Sequence, residues 1–379
     1  MKRIVIIGAN DFQNPLIIKA KDMGYETHVF AWKDGSIGEK TADYFYPISI
    51  IEKEKILEEC QKIKPSAVVT IASDLAMITV NYLARKLGLP CNSEKCTSIT
   101  TNKYEMRKAL LNAGVPTPVF HLVDSEHIPD CSDMTFPVIV KPTDRSGSRG
   151  ITKLETEEGI SEAVKDAVEN SFENKAIIEE YLEGNEFSCE CISYQGKHHF
   201  LAVTQKFTTG SPHFIETGHI EPANLTDQTV ETVRNEIFAA LDALEITNGA
   251  SHSEFKIDQN GQIRIIEIGA RMGGDCIGSD LVKLSTGYDF VKMVIQCALG
   301  EKPEFICESK PKIAAIKFIF SKQDYQNYLK IKKEKPELLH HVSDIEVVED
   351  QEIVDSSTRY GFYIITCDSR EEAMEWIQE

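Results

Sequence analysis

The 379-residue sequence predicts a mixed α/β and α+β chain, opening with a small doubly wound parallel sheet. Three observations predict it. Strand-like and helix-like runs alternate over residues 1–92, hairpin-like strands dominate residues 93–305, and residues 306–379 form a short α+β tail. In the first stretch Arg3–Ile7 reads as a buried strand ending at Gly8, and Asn14–Met23 as a helix closed by Gly24. Thr27–Trp32 is a second strand, Ile51–Ile63 a charged helix, Ala67–Ile71 a third strand, and Leu75–Leu87 a helix ending at Gly88. The first strand–helix turn, GANDFQN, lacks the G-x-G-x-x-G spacing that lets a pyrophosphate approach a helix N-terminus. The sheet is therefore expected to be Rossmann-like without serving NAD.

Beyond residue 92 the pattern changes. Lys103–Ala113 reads as a helix stopped at Gly114, ahead of the breaker cluster VPTP. Strand Val138–Lys141, a glycine- and serine-rich loop, strand Ile151–Leu154 and a helix over Gly159–Asn170 follow. Strands Ala176–Tyr181 and Glu186–Ser193 come next, then a helix over Thr226–Leu244. The tail carries charged helices at Asp324–Lys332 and Arg370–Ile377.

Charge narrows the class of ligand. Lys and Arg total 41 against 60 Asp and Glu, a net charge of -19, which disfavours nonspecific nucleic-acid binding. A single nucleotide is still within reach of two or three cations and a nest of amides. The apolar run in MKRIVIIGAN is too short for a signal peptide, and no stretch reaches the ~18 apolar residues of a membrane span. The ten cysteines include no C-x-x-C pair, although Cys189 and Cys191 share a strand face. Reduced thiols in a cytoplasmic protein are the expectation.

The most informative stretch is SHSEFKI (Ser251–Ile257), then DQNG, then QIRIIEIGAR (Gln262–Arg271). Asn260-Gly261 is a strong hairpin signal. A two-residue turn sets Glu254 directly opposite Glu267, and a four-residue loop sets them diagonally. Either way the two carboxylates share a face, because side chains alternate along a strand. Only a loop with an odd number of residues separates them. Phe255, Ile257, Ile266 and Ile268 are expected on the other face. Like charges placed opposite destabilise a sheet, so a shared proton, a cation or a metal must compensate. Oxygen ligands suit Mg²⁺, which takes one or two carboxylates with substrate phosphates. A solvated sheet face is the plain alternative. The continuation GARMGGD favours a site, because Arg271 beside Gly273-Gly274 joins side-chain and backbone donors for a carboxylate or a phosphoryl group.

A second cluster lies upstream. Lys141 ends a strand and feeds TDRSGSRG, whose small residues free backbone amides for a polyphosphate, although no Walker pattern is present. Glu179, Glu180, Tyr181 and Leu182 end an apolar strand whose edge suits an adenine ring, and Glu186 beyond it suits ribose hydroxyls.

Lys103, the VKP at Lys141, the TDRSGSRGI loop, EEYLEGNEFS and SHSEF…RIIEIGARMGGD occur in the order found in the ATP-grasp superfamily. Within it the chain resembles the L-amino-acid ligases of the bacilysin-synthetase type. The resemblance implies an ATP-grasp architecture: a Rossmann-like pre-ATP-grasp domain (1–92), a two-lobed ATP-grasp domain (93–305, with a lid at roughly 118–185) and a small C-terminal α+β subdomain (306–379). It implies that Lys103 and Lys141 contact ATP phosphates and that the loop with Ser146, Gly147, Ser148 and Gly150 closes over them. Glu180 and Leu182 then face adenine, with Glu179 and Tyr181 beside them, and Glu186 faces ribose. Glu254 and Glu267 hold Mg²⁺, or Mn²⁺ in its place. Arg271 stabilises a phosphorylated intermediate, with Gly273 and Gly274 in the substrate loop. In HFIETGHIEP, Glu216 and His219 fit the spacing of an amino-acid pocket, while His252 reads as a packed neighbour. Many relatives have E-I-N-P-R where this chain has E-I-G-A-R, so Gly269 replaces a common asparagine metal ligand.

The activity implied is ATP-dependent carboxylate–amine ligation through an acyl phosphate, with small-molecule carboxylate and amine substrates, amino acids first among them. Neither nucleic acid nor a membrane is an expected partner, and a homodimer is common among such proteins. A ligase or carboxylase acting on another carboxylate or on bicarbonate, and a nucleotide-binding regulator without turnover, are the competing readings.

Overall fold

The computed structural model describes residues 2–378 apart from 129, 146, 148, 212–213, 346–347, 350–352 and 354. Its first unit runs β1 (Arg3–Ile7), α1 (Asn14–Asp22), β2 (Glu26–Phe30), α2 (Gly38–Thr41), β3 (Tyr44–Tyr46), α3 (Lys53–Ile63), β4 (Ala67–Val69) and α4 (Asp74–Leu87). All pairings are parallel, in the order β3-β2-β1-β4. Strand β1 is buried over Ile4–Ile7, as a parallel strand covered on both faces must be. Strand β3 and helix α2 were not expected, being three and four residues long, too short to show a period. Ser73 caps α4 by accepting from Ala76 N at 3.2 Å, and Gly88 in the left-handed region closes it. The helix thereby begins at Asp74, on the side of the sheet that faces the rest of the molecule.

Two short helices, α5 (Glu94–Thr100) and α6 (Lys103–Asn112), lead to β5 (Phe120–Val123), β6 (Val138–Pro142), β7 (Thr152–Leu154), α7 (Ile160–Asn170) and β8 (Ala176–Glu180). The strands form an antiparallel sheet in the order β5-β8-β6-β7. Helix α7 lays Val164, Ala167 and Val168 against Val138, Val140 and Ile178.

The remaining strands build one antiparallel sheet in the order β13-β12-β9-β10-β11-β14-β16-β15. In chain order these are β9 (Asn185–Tyr194), β10 (Lys197–Thr208), β11 (Glu216–Glu221), then α8 (Asp227–Ala243), β12 (Gly249–Ile257) and β13 (Ile263–Gly269). Helices α9 (Val282–Thr286) and α10 (Phe290–Ala298) precede β14 (Ile313–Ile319), α11 (Lys322–Glu334), β15 (Leu339–Val342), β16 (Gly361–Cys367) and α12 (Arg370–Gln378). The C-terminal α+β tail therefore extends the large sheet, since β14 pairs with β11.

Period-two alternation gives this sheet two unlike faces around its centre. Phe187, Cys189, Cys191, Val203 and Phe255 pack under Val233, Ile237 and Leu241 of α8. The register then pairs Glu190 with His252, Ser188 with Glu254, Glu186 with Lys256 and Thr204 with Ser188, which puts polar residues on the opposite face. That face is the floor of the cleft described below. Among the described residues no helix is long and apolar enough to cross a membrane.

One buried acid makes stability depend on pH. Glu221, the last residue of β11, is fully buried and accepts from Ser285 at 2.6 Å and from Thr204. Burial pushes its carboxyl up from the ordinary 4.5 to about 7, the two hydroxyls offsetting only part of that. A folded-state value above the unfolded one means that the folded chain binds more protons between them. Stability is then fully present below 4.5 and declines as pH rises through about 7. Unfolding free energy is expected to fall by on the order of 1–3 kcal/mol across that window. The Glu221→Gln variant should lack this decline, which urea unfolding of both proteins at about pH 5 and about pH 8 measures. Equal pH slopes for the two proteins would remove Glu221 as the cause.

Candidate active site: a cleft floored by paired carboxylates

The hairpin of β12 and β13 reaches the expected facing by an unexpected route. Ile257 pairs with Ile263, leaving residues 258–262, an odd number, in the loop. Asp258 organises it, its carboxylate accepting from Asn260 N at 2.8 Å and Gln262 N at 2.9 Å. An odd loop by itself would send Glu254 and Glu267 to opposite faces. The register, however, shifts between Phe255 and Glu254: Phe255 pairs with Ile265, whereas Glu254 pairs with Glu267. Ile266 is the extra residue of a β-bulge, and that insertion restores the parity. The bulge also corrects one expectation, because Ile266 lines the cleft together with Glu267 instead of pointing away from it.

Cations, not a shared proton, compensate the paired acids. Lys206 of β10 places its ammonium 2.6 Å from Glu254, and Lys103, at the start of α6, lies 2.9 Å from Glu267. His252 adds a contact to Glu254 at 3.2 Å. Burial would push the Glu254 carboxyl up, but Lys206 and His252 outweigh it and hold it well below the usual range. Glu186, 3.4 Å from Lys206, goes the other way: burial and the neighbouring Glu254 and Glu216 raise it despite the lysine.

On one side of this floor Lys141 ends β6, buried and ion-paired with Glu179 of β8. Glu179 in turn accepts from Arg107 of α6 at 2.8 Å, and Arg107 spends its other nitrogens on the carbonyls of Ile265 and Ile266 at the bulge. Burial would raise Glu179, yet Arg107 and Lys141 depress it to about 2. Glu179 thus lines the cleft as the link between two cations. The Glu180 carboxylate accepts from Thr135 N at 2.8 Å and Val119 N at 3.3 Å, which engages its side chain with backbone. Tyr181 lies between the ammonium groups of Lys153 and Lys256, 4.4 and 4.3 Å from its ring centre, and Leu182 and Glu186 continue the wall. Of the expected phosphate loop, Gly147 lines the cleft and Gly150 backs onto Asn170; Ser146 and Ser148 lie outside the described residues.

On the other side Arg271 forms a two-pronged ion pair with Asp74, at 2.9 and 3.0 Å. The first unit thus contributes a residue to the cleft. This pair explains Gly269: a Cβ there would lie 2.8 Å from the Asp74 carboxylate and 3.2 Å from Arg271. Gly273 is constrained in the same way, its Cβ position 2.8 Å from both Glu190 and His252, and its N–H donates to Glu190 at 3.1 Å. Gly274 lines the cleft. Glu216 and His219 of β11 meet Asp275 and Arg359 there. Arg359 grips Asp275 at 2.8 and 3.0 Å, and its guanidinium stacks 3.6 Å over Phe318.

All these walls enclose one cleft of about 330 Å³. The structure brings together Lys103, Lys141, Glu179, Glu180, Tyr181, Leu182, Glu186, Glu216, His219, Glu254, Glu267 and Arg271. Sequence reasoning missed Asp74, Arg107, Lys206 and Arg359. Each belongs to an element distant in sequence from the motifs it serves.

Residues 134–280 match the family model described as ATP-grasp domain. Alanine–anticapsin ligase of Bacillus amyloliquefaciens is 25% identical over 367 residues, 85% of this chain and 74% of that protein. D-alanine–D-alanine ligase of Phocaeicola vulgatus is 27% identical over 202 residues, 49% of this chain and 60% of that protein. The L-amino acid ligase structure from Bacillus licheniformis superposes with a TM-score of 0.84 at 24% identity, covering 100% of this chain and 96% of that one. Coverage of other curated relatives is lower, 49% of an uncharacterized Sinorhizobium fredii protein and 30% of a Thermotoga petrophila carbamoyl phosphate synthase large chain. The superposition shows that this chain shares the fold of that structure over its whole length.

Donor chemistry in the cleft fits a hard cation. Among the described residues no group of three or more His, Cys, Asp or Glu is arranged to hold a metal alone. Two carboxylates on facing strands leave the remaining positions to water and phosphate oxygens, which is what Mg²⁺ favours.

Proposed function

We propose that this chain is an ATP-dependent carboxylate–amine ligase that forms an amide through an acyl phosphate, with amino-acid substrates. The observation that carries this reading is the meeting of Glu254 and Glu267, flanked by Lys103 and Lys141, with Arg271, Glu216 and His219 across one cleft. In this reading residues 1–92, 93–305 and 306–379 are the pre-ATP-grasp, ATP-grasp and C-terminal units.

Glu254 and Glu267 would hold Mg²⁺ or Mn²⁺, which when bound neutralises charge on the polyphosphate. Lys103 and Lys141 orient the phosphates, and Arg271 offers its guanidinium to the transferring phosphoryl group. A substrate carboxylate oxygen attacks the γ-phosphorus as the bond to ADP breaks. The amine of a second substrate then attacks the acyl carbon, the carbon–oxygen bond to phosphate breaks, and the amine loses a proton. Closure of the loop bearing Gly147 would exclude water from the acyl phosphate.

Phosphate release from ATP and magnesium, measured across amino acids singly and in pairs with product masses, tests the reading. Release that depends on two amino acids, with a mass equal to their sum less one water, is the expected result. Release with bicarbonate alone would favour a carboxylase. No release with any acid would leave a nucleotide-binding protein.

A further inference from the structure

We propose that Asp74 is a positioning residue for Arg271: it keeps the guanidinium off the carboxylates of Glu254 and Glu267 and turns its free edge to the cleft. The use of that edge, to meet a transferring phosphoryl group, rests on the ligase reading. The withholding of Arg271 from the paired acids does not.

Three observations carry it. The ion pair is side-on, with Arg271 Nε 2.9 Å from one Asp74 oxygen and Nη2 3.0 Å from the other. A guanidinium held through Nε and Nη2 keeps its end-on edge, one N–H each from Nη1 and Nη2, for a second anion. Nη1 has the Met272 carbonyl at 3.4 Å, longer than an ordinary hydrogen bond, and Arg271 lines the cleft. A guanidinium without Asp74 would be free to turn that edge elsewhere.

Secondly, the paired acids are within its reach. Glu267 and Gly269 both line the cleft from β13, roughly 7 Å apart along the strand. The guanidinium carbon lies 3.3 Å from the place of a Gly269 Cβ, so a turn of the side chain carries it toward Glu267. Burial disfavours the Arg271 charge, but Asp74 first, and then Glu254 and Glu267, favour it. The two acids already face Lys103, Lys206 and His252, and one more cation on them would compete with a metal. Thirdly, the turn bearing Asp74 is docked on the Arg271 loop. Ala72 takes a left-handed backbone, φ 59°, and its N–H donates to the Met272 carbonyl at 3.2 Å. That conformation is unfavourable for alanine, and the tie to the loop offsets it. Asp74 then opens α4, where the helix N-terminus favours its negative charge.

Calorimetry of Mn²⁺ on the full chain with ADP, together with the NMR resonance of the Arg271 side-chain Nε, tests this without turnover. That resonance is the one Arg271→Met removes. Asp74→Asn should weaken Mn²⁺ about tenfold or more while ADP affinity without metal stays within about threefold, and Asp74→Glu should recover part of the loss. In an Arg271→Met background, Asp74→Asn should weaken Mn²⁺ by less than about threefold. Glu267→Gln should leave the Arg271 resonance in place when Asp74 is present and move it in Asp74→Asn. Equal loss of Mn²⁺ with and without Arg271 would overturn the proposal, because Asp74 would then act by its charge alone. So would equal loss of Mn²⁺ and ADP, or an Arg271 resonance indifferent to Glu267 in both proteins. A wild type that binds no Mn²⁺ would sink the metal assignment, and the resonance would then decide whether Asp74 withholds Arg271. The expected pattern without phosphate release would sink the ligase reading and leave the role of Asp74 standing.

Discussion

Glu267→Gln is expected to lower carboxylate-dependent phosphate release by at least about 1,000-fold while leaving the fold in place. Glutamine keeps the shape and removes the charge that a hard cation requires. The fold should survive because the Glu267 side chain is 27% exposed and its lysine partner has a second anchor. Lys103 also donates to the backbone carbonyl of Arg145 at 2.6 Å, so losing the carboxylate does not strand the ammonium. The unfolding free energy should therefore stay within about 1 kcal/mol of wild type. Calorimetric binding of Mn²⁺ in the presence of ADP should weaken in step with the rate. A variant turning over at near-wild-type rate would show that Glu267 is no metal ligand, whatever its position on the strand.

The facing of Glu254 and Glu267 was legible in the sequence, but the reason offered for it was incomplete. Alternation predicts one face for an even loop, and the loop is odd. Nothing in RIIEIG announces a bulge at Ile266, since a bulge depends on what the neighbouring strand and helix can accommodate. The ordered motifs from which the proposed nucleotide and metal walls were read share a property: each is contiguous, so its chemistry and its geometry lie within one turn or hairpin. Asp74, Arg107, Lys206 and Arg359 lack it. Lys206 becomes meaningful only when β10 pairs with β9 and β9 with β12, which brings it to Glu254 from 48 residues away. Gly269 illustrates the same limit from the other side. Its glycine looked like a missing ligand, and the cause is steric: Asp74, 197 residues from Arg271, occupies the space that a side chain would need.

Arg107 is where that long-range dependence should be most costly to break. Its guanidinium is the largest fully buried side chain of the molecule among the described residues, and it joins three elements. It pairs with Glu179 of β8 at 2.8 Å and donates to Ile265 and Ile266 of β13 at 3.0 and 2.9 Å, all from α6. Arg107→Met fills much of the volume but strands two buried carbonyls and leaves Glu179 with Lys141 alone. Removing one partner of such a buried network is expected to destabilise the chain by about 3–5 kcal/mol. Urea unfolding measures this, and a shift under about 1 kcal/mol would show the network to be dispensable. A double-mutant cycle with Glu179→Gln should return a coupling of about 1–3 kcal/mol, because the two side chains share one hydrogen bond and one desolvated environment. Function should suffer beyond stability. The carbonyls Arg107 holds are those of the bulge, so loosening them frees β13 to slip by one residue. That slip would turn Glu267 away from Glu254 and carry the proposed metal site with it.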